Sequence, residues 1–207
     1  MRVIALNCTL KRGEDPSSTD RMLELVGKYL LEAGVDGMET VRIANHDVLP
    51  GVTSDEGPGD AWPALRARIL AADVLVLGTP IWLGQHSSVC KRVLERMDAF
   101  LSETDDRGRT PAFGKIALVA VVGNEDGAHH VCAELYQALA DVGWTIAPQG
   151  GIYWVGEAMG RRDFKDLEKI PDKVDQTARM AASNAAHLAR MLQQSHYPGI
   201  AMPPSGD

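Results

Sequence analysis

The segment VLVLGTPIWLG, residues 74–84, carries the pattern that decides the fold. It begins with a continuous apolar run, and two similar runs occur at residues 3–6 and 116–122. Runs without polar alternation are typical of strands buried on both faces, as in a parallel sheet covered by helices on each side. Weaker patterns predict two further strands, at residues 39–44 and 145–154. The chain is therefore predicted to contain a parallel sheet.

Amphipathic helical patterns separate the predicted strands. These helices are expected at residues 17–33, 61–72, 87–101, 128–142 and 174–192. Repeated strand–helix alternation predicts an α/β fold with a doubly wound sheet. Three stretches lack either pattern, and we interpret them as irregular: residues 46–60, 156–172 and 196–207. The first is acidic and rich in Gly and Pro, and loops of that length are usually functional or mobile.

The composition excludes several functional classes. The chain has 207 residues, 45% of them apolar and 24% charged, with a formal net charge of −7. This acidic balance disfavours nucleic acid or an anionic membrane as the main partner. No apolar run reaches the ~20 residues that span a bilayer, and residues 1–10 are interpreted as a strand rather than a secretory signal. Cys8, Cys90 and Cys132 have no metal-ligand spacing and indicate a reducing, cytoplasmic compartment.

The segment after the first predicted strand has the residues of a phosphate site. Ligands of open α/β sheets bind beyond the carboxyl ends of the strands. Thr9 and Lys11 lie there, and residues 17–19 (Ser-Ser-Thr) begin the first predicted helix. Hydroxyls, a lysine and free N–H groups at a helix N-terminus suit a phosphate. The alternative is that Ser18 or Thr19 only caps the helix.

The segments after the third and fourth predicted strands suit a flat ring. Residues 78–84 (GTPIWLG) offer an apolar wall and glycines for close backbone approach, although Ile81 and Trp82 could instead pack in a surface groove. Residues 123–127 (GNEDG) offer polar groups, but two adjacent acids are weak evidence for a metal, and Asp126 could cap the next helix. Together the three segments indicate a mononucleotide site.

Other nucleotide and phosphate sites fit the sequence less well. The first predicted strand is followed neither by a GxGxxG fingerprint nor by a Walker A lysine loop. A low-molecular-weight tyrosine phosphatase would need Cys-x5-Arg at this place. Cys8 stands in the right position, but Glu14 occupies the position of the arginine. A carboxylate there would repel phosphate, so phosphatase chemistry is disfavoured.

Four motifs resemble the flavodoxin-like NAD(P)H-dependent FMN reductase family over nearly the whole chain. They are Asn7–Lys11 with Ser18-Thr19, the run from Ala72-Asp73 to Gly84, the loop Gly123–Gly127, and Gly151–Gly156 before the Ala-rich helix. The chain departs from the family pattern in three places. Cys8 replaces a glycine, Leu10 replaces a proline, and Trp82-Leu83 replaces a Tyr-Trp pair.

The resemblance implies one flavodoxin-like FMN-binding domain over residues 1–207. It implies a three-layer sandwich whose five-stranded parallel sheet has the order 2-1-3-4-5. It also assigns three groups of cofactor-binding residues. Those for the FMN phosphate are Thr9, Lys11, Ser17, Ser18 and Thr19; those along the isoalloxazine are Pro80, Ile81, Trp82, Leu83 and Gly84; those at its other edge are Gly123, Asn124, Glu125, Asp126 and Gly127.

The resemblance further implies an oxidoreductase that passes hydride from NADPH or NADH through FMN to a quinone, a flavin or a similar small acceptor. No catalytic acid or base and no metal ligand is assigned, and His129 and His130 are interpreted as solvated or hydrogen-bonded side chains. Two alternatives remain open: a flavodoxin-type electron carrier, and a nucleotide-fold module without flavin.

Family members often form dimers or tetramers that close the flavin cleft with a neighbouring subunit. We therefore expect a homodimer or homotetramer. The candidate contact segments are the loop at residues 46–60, residues 159–167 and the proline-containing tail at 196–207. The residue 46–60 loop has no cysteine, so an iron–sulfur cluster at that position is not expected.

Overall fold

Strands and helices alternate along the chain in the computed structural model, which describes residues 1–201. The strands are β1 (Arg2–Asn7), β2 (Gly37–Arg42), β3 (Val74–Trp82), β4 (Gln85–His86), β5 (Ile116–Gly123) and β6 (Thr145–Val155). The helices are α1 (Ser18–Glu32), α2 (Trp62–Ala71), α3 (Ser88–Met97), α4 (Ala128–Asp141) and α5 (Asp172–Gln194). Short 3-10 turns occur at Ile43–Asn45, Asp98–Ser102 and Phe164–Asp166.

The five long strands form a parallel sheet in the order β2-β1-β3-β5-β6. The two-residue strand β4 pairs antiparallel with the end of β3. With β4 set aside, the predicted flavodoxin-like order 2-1-3-4-5 is confirmed. Within residues 1–201, none of the helices combines the length and the apolar character needed to cross a membrane.

Two hydrophobic cores lie on opposite faces of the sheet. Alternate residues of β3 face in opposite directions, so that Leu75 and Leu77 belong to one core and Val74 and Val76 to the other. Helices α2, α3 and α4 cover the first core, and α1 and α5 cover the second. Because both faces of the central strands are covered, their sequences are apolar without alternation.

Strand β3 is longer than predicted and includes residues that the sequence suggested were a loop. Its parallel pairing with β5 continues through Pro80, which lies opposite Val122. Beyond that point, Ile81 and Trp82 pair with β4 in a hairpin. The strand thus carries the predicted ring-binding residues directly from the sheet to the edge of the cleft.

The predicted long loop at residues 46–60 is held by a buried ion pair. Arg96 of α3 lies 2.7 Å from Asp60, and both side chains are fully buried. Arg96 also donates hydrogen bonds to the carbonyls of Thr53 and Leu49. Burial alone would raise the pKa of Asp60, but hydrogen bonds from Arg96 and from three backbone N–H groups lower it to about 2. This loop is therefore anchored to the core.

Candidate functional site

A cleft of about 510 Å³ opens beyond the carboxyl ends of β1, β3 and β5. Most of the predicted site residues line it: Thr9, Lys11, Ser17, Ser18, Thr19, Pro80, Ile81, Trp82, Leu83, Gly123, Asn124 and Glu125. The predicted residues Gly84, Asp126 and Gly127 are absent from the lining. Three segments that are far apart in the sequence therefore meet at one site, as the strand order requires.

Gly84 and Gly127 do not line the cleft, but their backbones touch and bring two of its segments together. Gly127 has a φ of 118°, and a Cβ added there would lie 2.8 Å from the Cα of Gly84. The backbone N–H of Leu83 donates a 2.7 Å hydrogen bond to the carboxylate of Glu125. The segments after β3 and β5 are thus joined to each other, and only glycine fits where their backbones touch. Asp126 accepts a hydrogen bond from the N–H of Gly127 and does not cap α4 across its first turn.

The first turn of α1 forms one end of the cleft. The helix cap is Ser17, whose hydroxyl accepts the N–H of Asp20 at 3.1 Å while the Asp20 carboxylate accepts the N–H of Ser17. Thr19 is buried, and its methyl group would lie 3.0 Å from a Cβ added at Gly78. The capping role considered for Ser18 or Thr19 therefore belongs to Ser17. First-turn N–H groups have no acceptor within a helix, so they can bind an anion.

A hydrogen-bonded network holds the segment after β1 in place. The amide of Asn7 accepts the N–H of Thr9 at 2.9 Å and donates to the carboxylate of Asp20. Arg42 lies 2.5 Å from the same carboxylate. Burial opposes ionisation of Asp20, but hydrogen bonds from Ser17 and Arg42 outweigh it and lower the pKa. These contacts hold the backbone of the segment against the start of α1.

Cys8 is part of this segment but has no catalytic character. Its side chain is fully buried, and burial raises the pKa of the thiol well above its usual value. Its backbone carbonyl accepts the hydroxyl of Ser87, whose N–H donates to Thr79. A buried thiol with a raised pKa is a poor nucleophile.

The cleft lining also contains residues that the sequence analysis did not assign to the site. Leu10, Val122, Trp154, Met159, Asp163 and Lys165 complete the lining. Trp154 lies in the strand predicted at residues 145–154. Because successive side chains of a strand point to opposite faces, Trp154 could have been placed on the face opposite Tyr153. Asp163 and Lys165 lie in an irregular stretch with no periodic signal. Asn124 donates a 2.8 Å hydrogen bond to Asp163 and so connects this stretch to the segment after β5.

The residues of the cleft fit a phosphorylated, planar ligand. Its volume lies within the ~300–1,000 Å³ typical of small-molecule sites. The helix N-terminus and Lys11 offer groups for a phosphate, whereas Pro80, Ile81 and Trp82 provide an apolar wall. Among residues 1–201, no three His, Cys, Asp or Glu side chains are grouped as metal ligands.

Comparison with known proteins identifies the family. Residues 1–159 match the family described as NADPH-dependent FMN reductase. The chain belongs to this family. Membership confirms the resemblance drawn from the four motifs, and it supports FMN as the flavin and NAD(P)H as the electron donor.

Two curated relatives align with nearly all of the chain. A Mycobacterium bovis protein described as divalent metal cation transporter MntH is 36% identical over 200 residues, which are 93% of this chain and 29% of that protein. The 8-demethyl-8-aminoriboflavin-5'-phosphate synthase of Streptomyces davaonensis is 30% identical over 95% of this chain and 80% of its own length. The chain thus spans under a third of the first relative.

Solved structures extend the comparison. A crystal structure of RosB with the bound intermediate 8-demethyl-8-formylriboflavin-5'-phosphate has a TM-score of 0.85 and 29% identity, covering 95% of this chain and 82% of that one. A flavodoxin from the domain Archaea has a TM-score of 0.58 and 12% identity, covering 92% and 99%. The second likeness shows the shared fold alone.

The two histidines after β5 lie outside the cleft lining of this FMN reductase family member. His129 is 2.8 Å from the hydroxyl of Tyr153, and His130 is 2.9 Å from the amide of Gln85. Both imidazoles are therefore engaged in hydrogen bonds on the α4 side of the sheet. Their surroundings agree with the interpretation as hydrogen-bonded side chains.

Proposed function

We propose that the protein oxidises NAD(P)H through bound FMN and passes the electrons to a small acceptor such as a quinone or a flavin. The observation that carries this proposal is one cleft with a helix N-terminus and Lys11 at one end and an exposed apolar rim. Trp82 and Leu83 are 55% and 92% exposed, so a second planar molecule can reach the rim. Because donor and acceptor would use the same opening, they bind in turn.

FMN supplies the capacity to accept a hydride and release electrons, which side chains lack. The chain's own residues would bind and orient the flavin. The first-turn N–H groups of α1 and the ammonium of Lys11 would hold the phosphate. Pro80 and Ile81 would exclude water from one side of the ring, and the Leu83–Glu125 hydrogen bond fixes that wall. No side chain is assigned as an acid or base, so protons would come from solvent.

An anaerobic visible spectrum of the protein reconstituted with FMN, recorded before and after adding NADPH and then NADH, tests the proposal. Loss of the bound flavin's absorbance within seconds supports a reductase. Bound flavin that stays oxidised with both nicotinamides contradicts it and favours a flavodoxin-type carrier. A protein that binds no flavin would favour the module without cofactor.

A second candidate function treats a flavin phosphate as the substrate. It is favoured by the 30% identity to 8-demethyl-8-aminoriboflavin-5'-phosphate synthase and by the TM-score of 0.85 to RosB. In that case the same cleft would hold the flavin while its ring substituent is changed. Mass spectrometry of the flavin recovered after incubation separates the two functions, because a reductase returns FMN with its original mass.

We also propose a cytoplasmic homodimer or homotetramer. Leu83 and Met159 are 92% and 96% exposed beside the cleft, which favours cover by another subunit. The buried free thiols Cys8, Cys90 and Cys132 fit a reducing compartment. Of the candidate contact tail, residues 202–207 lie outside the described part of the chain. Light scattering that gives the 22.4 kDa mass of one chain would contradict the oligomer.

A further inference from the structure

The cleft is lined by two cationic side chains, Lys11 after β1 and Lys165 in the 3-10 turn at residues 164–166. A phosphate monoester carries a charge of about −1.5 to −2 at neutral pH, more than one lysine neutralises. Arg42 pairs with Asp20 and Arg21 donates to backbone carbonyls, and neither arginine is among the lining residues. Lys165 is therefore the second cation of the lining, beside Lys11.

The turn that carries Lys165 is docked on the phosphate end of the cleft. The backbone N–H of Lys165 donates a 3.2 Å hydrogen bond to the hydroxyl of Ser18, in the first turn of α1. The guanidinium of Arg21, one turn further along α1, donates to the carbonyls of Phe164 at 3.0 Å and Lys165 at 2.7 Å. These contacts hold the Lys165 backbone beside the helix N-terminus.

The ammonium of Lys165 is bound to acidic side chains of its own turn. It lies 2.8 Å from the nearer carboxylate oxygen of Asp166 and 3.5 Å from Asp163. A hydrogen bond from Lys165 lowers the pKa of Asp166, and the charge of Lys11 contributes in the same direction. The Asp166 carboxylate thus lies within the influence of both lysines. Exposed pairs of this kind contribute little to stability, so a phosphate dianion can displace the carboxylate.

We propose that Lys165 is a second phosphate-binding cation of the cleft, which leaves Asp166 when the phosphate of the flavin binds. The assignment rests on the proposed function, since it takes FMN as the ligand. Lys165 lies beyond residues 1–159, the part of the chain that matches the family. It would add affinity and select phosphorylated flavins over riboflavin.

The test is the affinity of Lys165→Met for FMN and for riboflavin, each measured by quenching of flavin fluorescence. Loss of a charge-assisted hydrogen bond is expected to raise the Kd for FMN by about ten- to a hundredfold. The Kd for riboflavin, which has no phosphate, should stay within about twofold. Lys165→Arg keeps the charge and should retain FMN affinity within about threefold.

Lys169→Met is the matched control. Lys169 also pairs with an aspartate, Asp172 at 2.7 Å, but it is 81% exposed and lies outside the lining. It should leave both affinities unchanged. Equal loss of FMN and riboflavin affinity in Lys165→Met, or no loss of either, would overturn the assignment while the proposed function stands. Failure of the unaltered protein to bind FMN would overturn both.

The 2'-phosphate of NADPH is a second source of the same chemistry. If Lys165 recognises that group, Lys165→Met raises the KM for NADPH but not for NADH, and the Kd for FMN is unchanged. That result would overturn the assignment to the flavin phosphate. A raised Kd for FMN with an unchanged ratio of the two KM values supports it.

Discussion

Replacing Arg96 with methionine should strongly destabilise the protein. Methionine keeps much of the buried volume but leaves the carboxylate of Asp60 without its cation, in a site where both side chains are fully buried. Removing one partner of a buried ion pair costs about 3–5 kcal/mol. For a chain of this size, that loss corresponds to a fall in Tm of ~6–20 °C.

The pKa of Asp60 gives a second measure of the same environment. Hydrogen bonds, against the opposing effect of burial, lower it from 3.8 to about 2. At ~1.4 kcal/mol per pKa unit, ionised Asp60 contributes roughly 2–3 kcal/mol to folding. Because the folded-state pKa is the lower one, this contribution is present above pH 3.8 and is lost as the pH falls toward 2. Without Arg96, burial dominates and the pKa of Asp60 rises. The loss of unfolding free energy caused by Arg96→Met should therefore be largest near neutral pH and shrink below about pH 4.

Urea unfolding at several pH values measures both effects. Arg68→Met is the control, because Arg68 pairs with Glu39 where the side chains are 40% and 54% exposed, and such pairs contribute about 0–1 kcal/mol. If Arg96→Met lowers the free energy of unfolding by less than ~1 kcal/mol, as Arg68→Met is expected to do, the reasoning is refuted. Affinity for FMN should change little in the folded variant, since Arg96 is outside the cleft lining.

Three further predictions concern the cleft and its supports. Gly127→Ala should destabilise the protein by ~1–3 kcal/mol in urea and weaken FMN binding, because a Cβ would lie 2.8 Å from Gly84 and the φ is 118°. Ser17→Ala should lower the free energy of unfolding by ~1 kcal/mol in thermal melts through loss of the α1 cap. Burial raises the pKa of Cys132 to about 11, so mass spectrometry should find it unmodified by iodoacetamide at pH 8 in the folded protein.

One control and three contrary results test these predictions. Gly13 also has a positive φ, 71°, but no atom lies within 4 Å of an added Cβ, so Gly13→Ala should leave FMN affinity unchanged. Equal effects of the two glycine changes on FMN affinity would contradict the contact argument. Full stability of Ser17→Ala, or rapid alkylation of Cys132 without unfolding, would contradict the other two.

The sheet and most of the cleft could be predicted because they depend on local signals. Strands buried on both faces must be apolar throughout, so β1, β3 and β5 were recognisable from their composition. Parallel strands place their carboxyl ends at one edge, so Thr9, Pro80 and Asn124 could be assigned to one site without coordinates. The end of β3 was misplaced because its last residues pair with β4 and β5, and pairing partners are not encoded locally.

The amino-acid sequence by itself determined the fold class, the strand order through the family motifs, and the three segments that form the cleft. Only the tertiary structure decided which charged side chains act together. Ser18 and Lys165 are 147 positions apart, yet they share a hydrogen bond at the phosphate end. Arg96 and Asp60 form a buried pair although each would ordinarily be expected at the surface. Such contacts depend on the packing of distant elements, and no local periodicity records them.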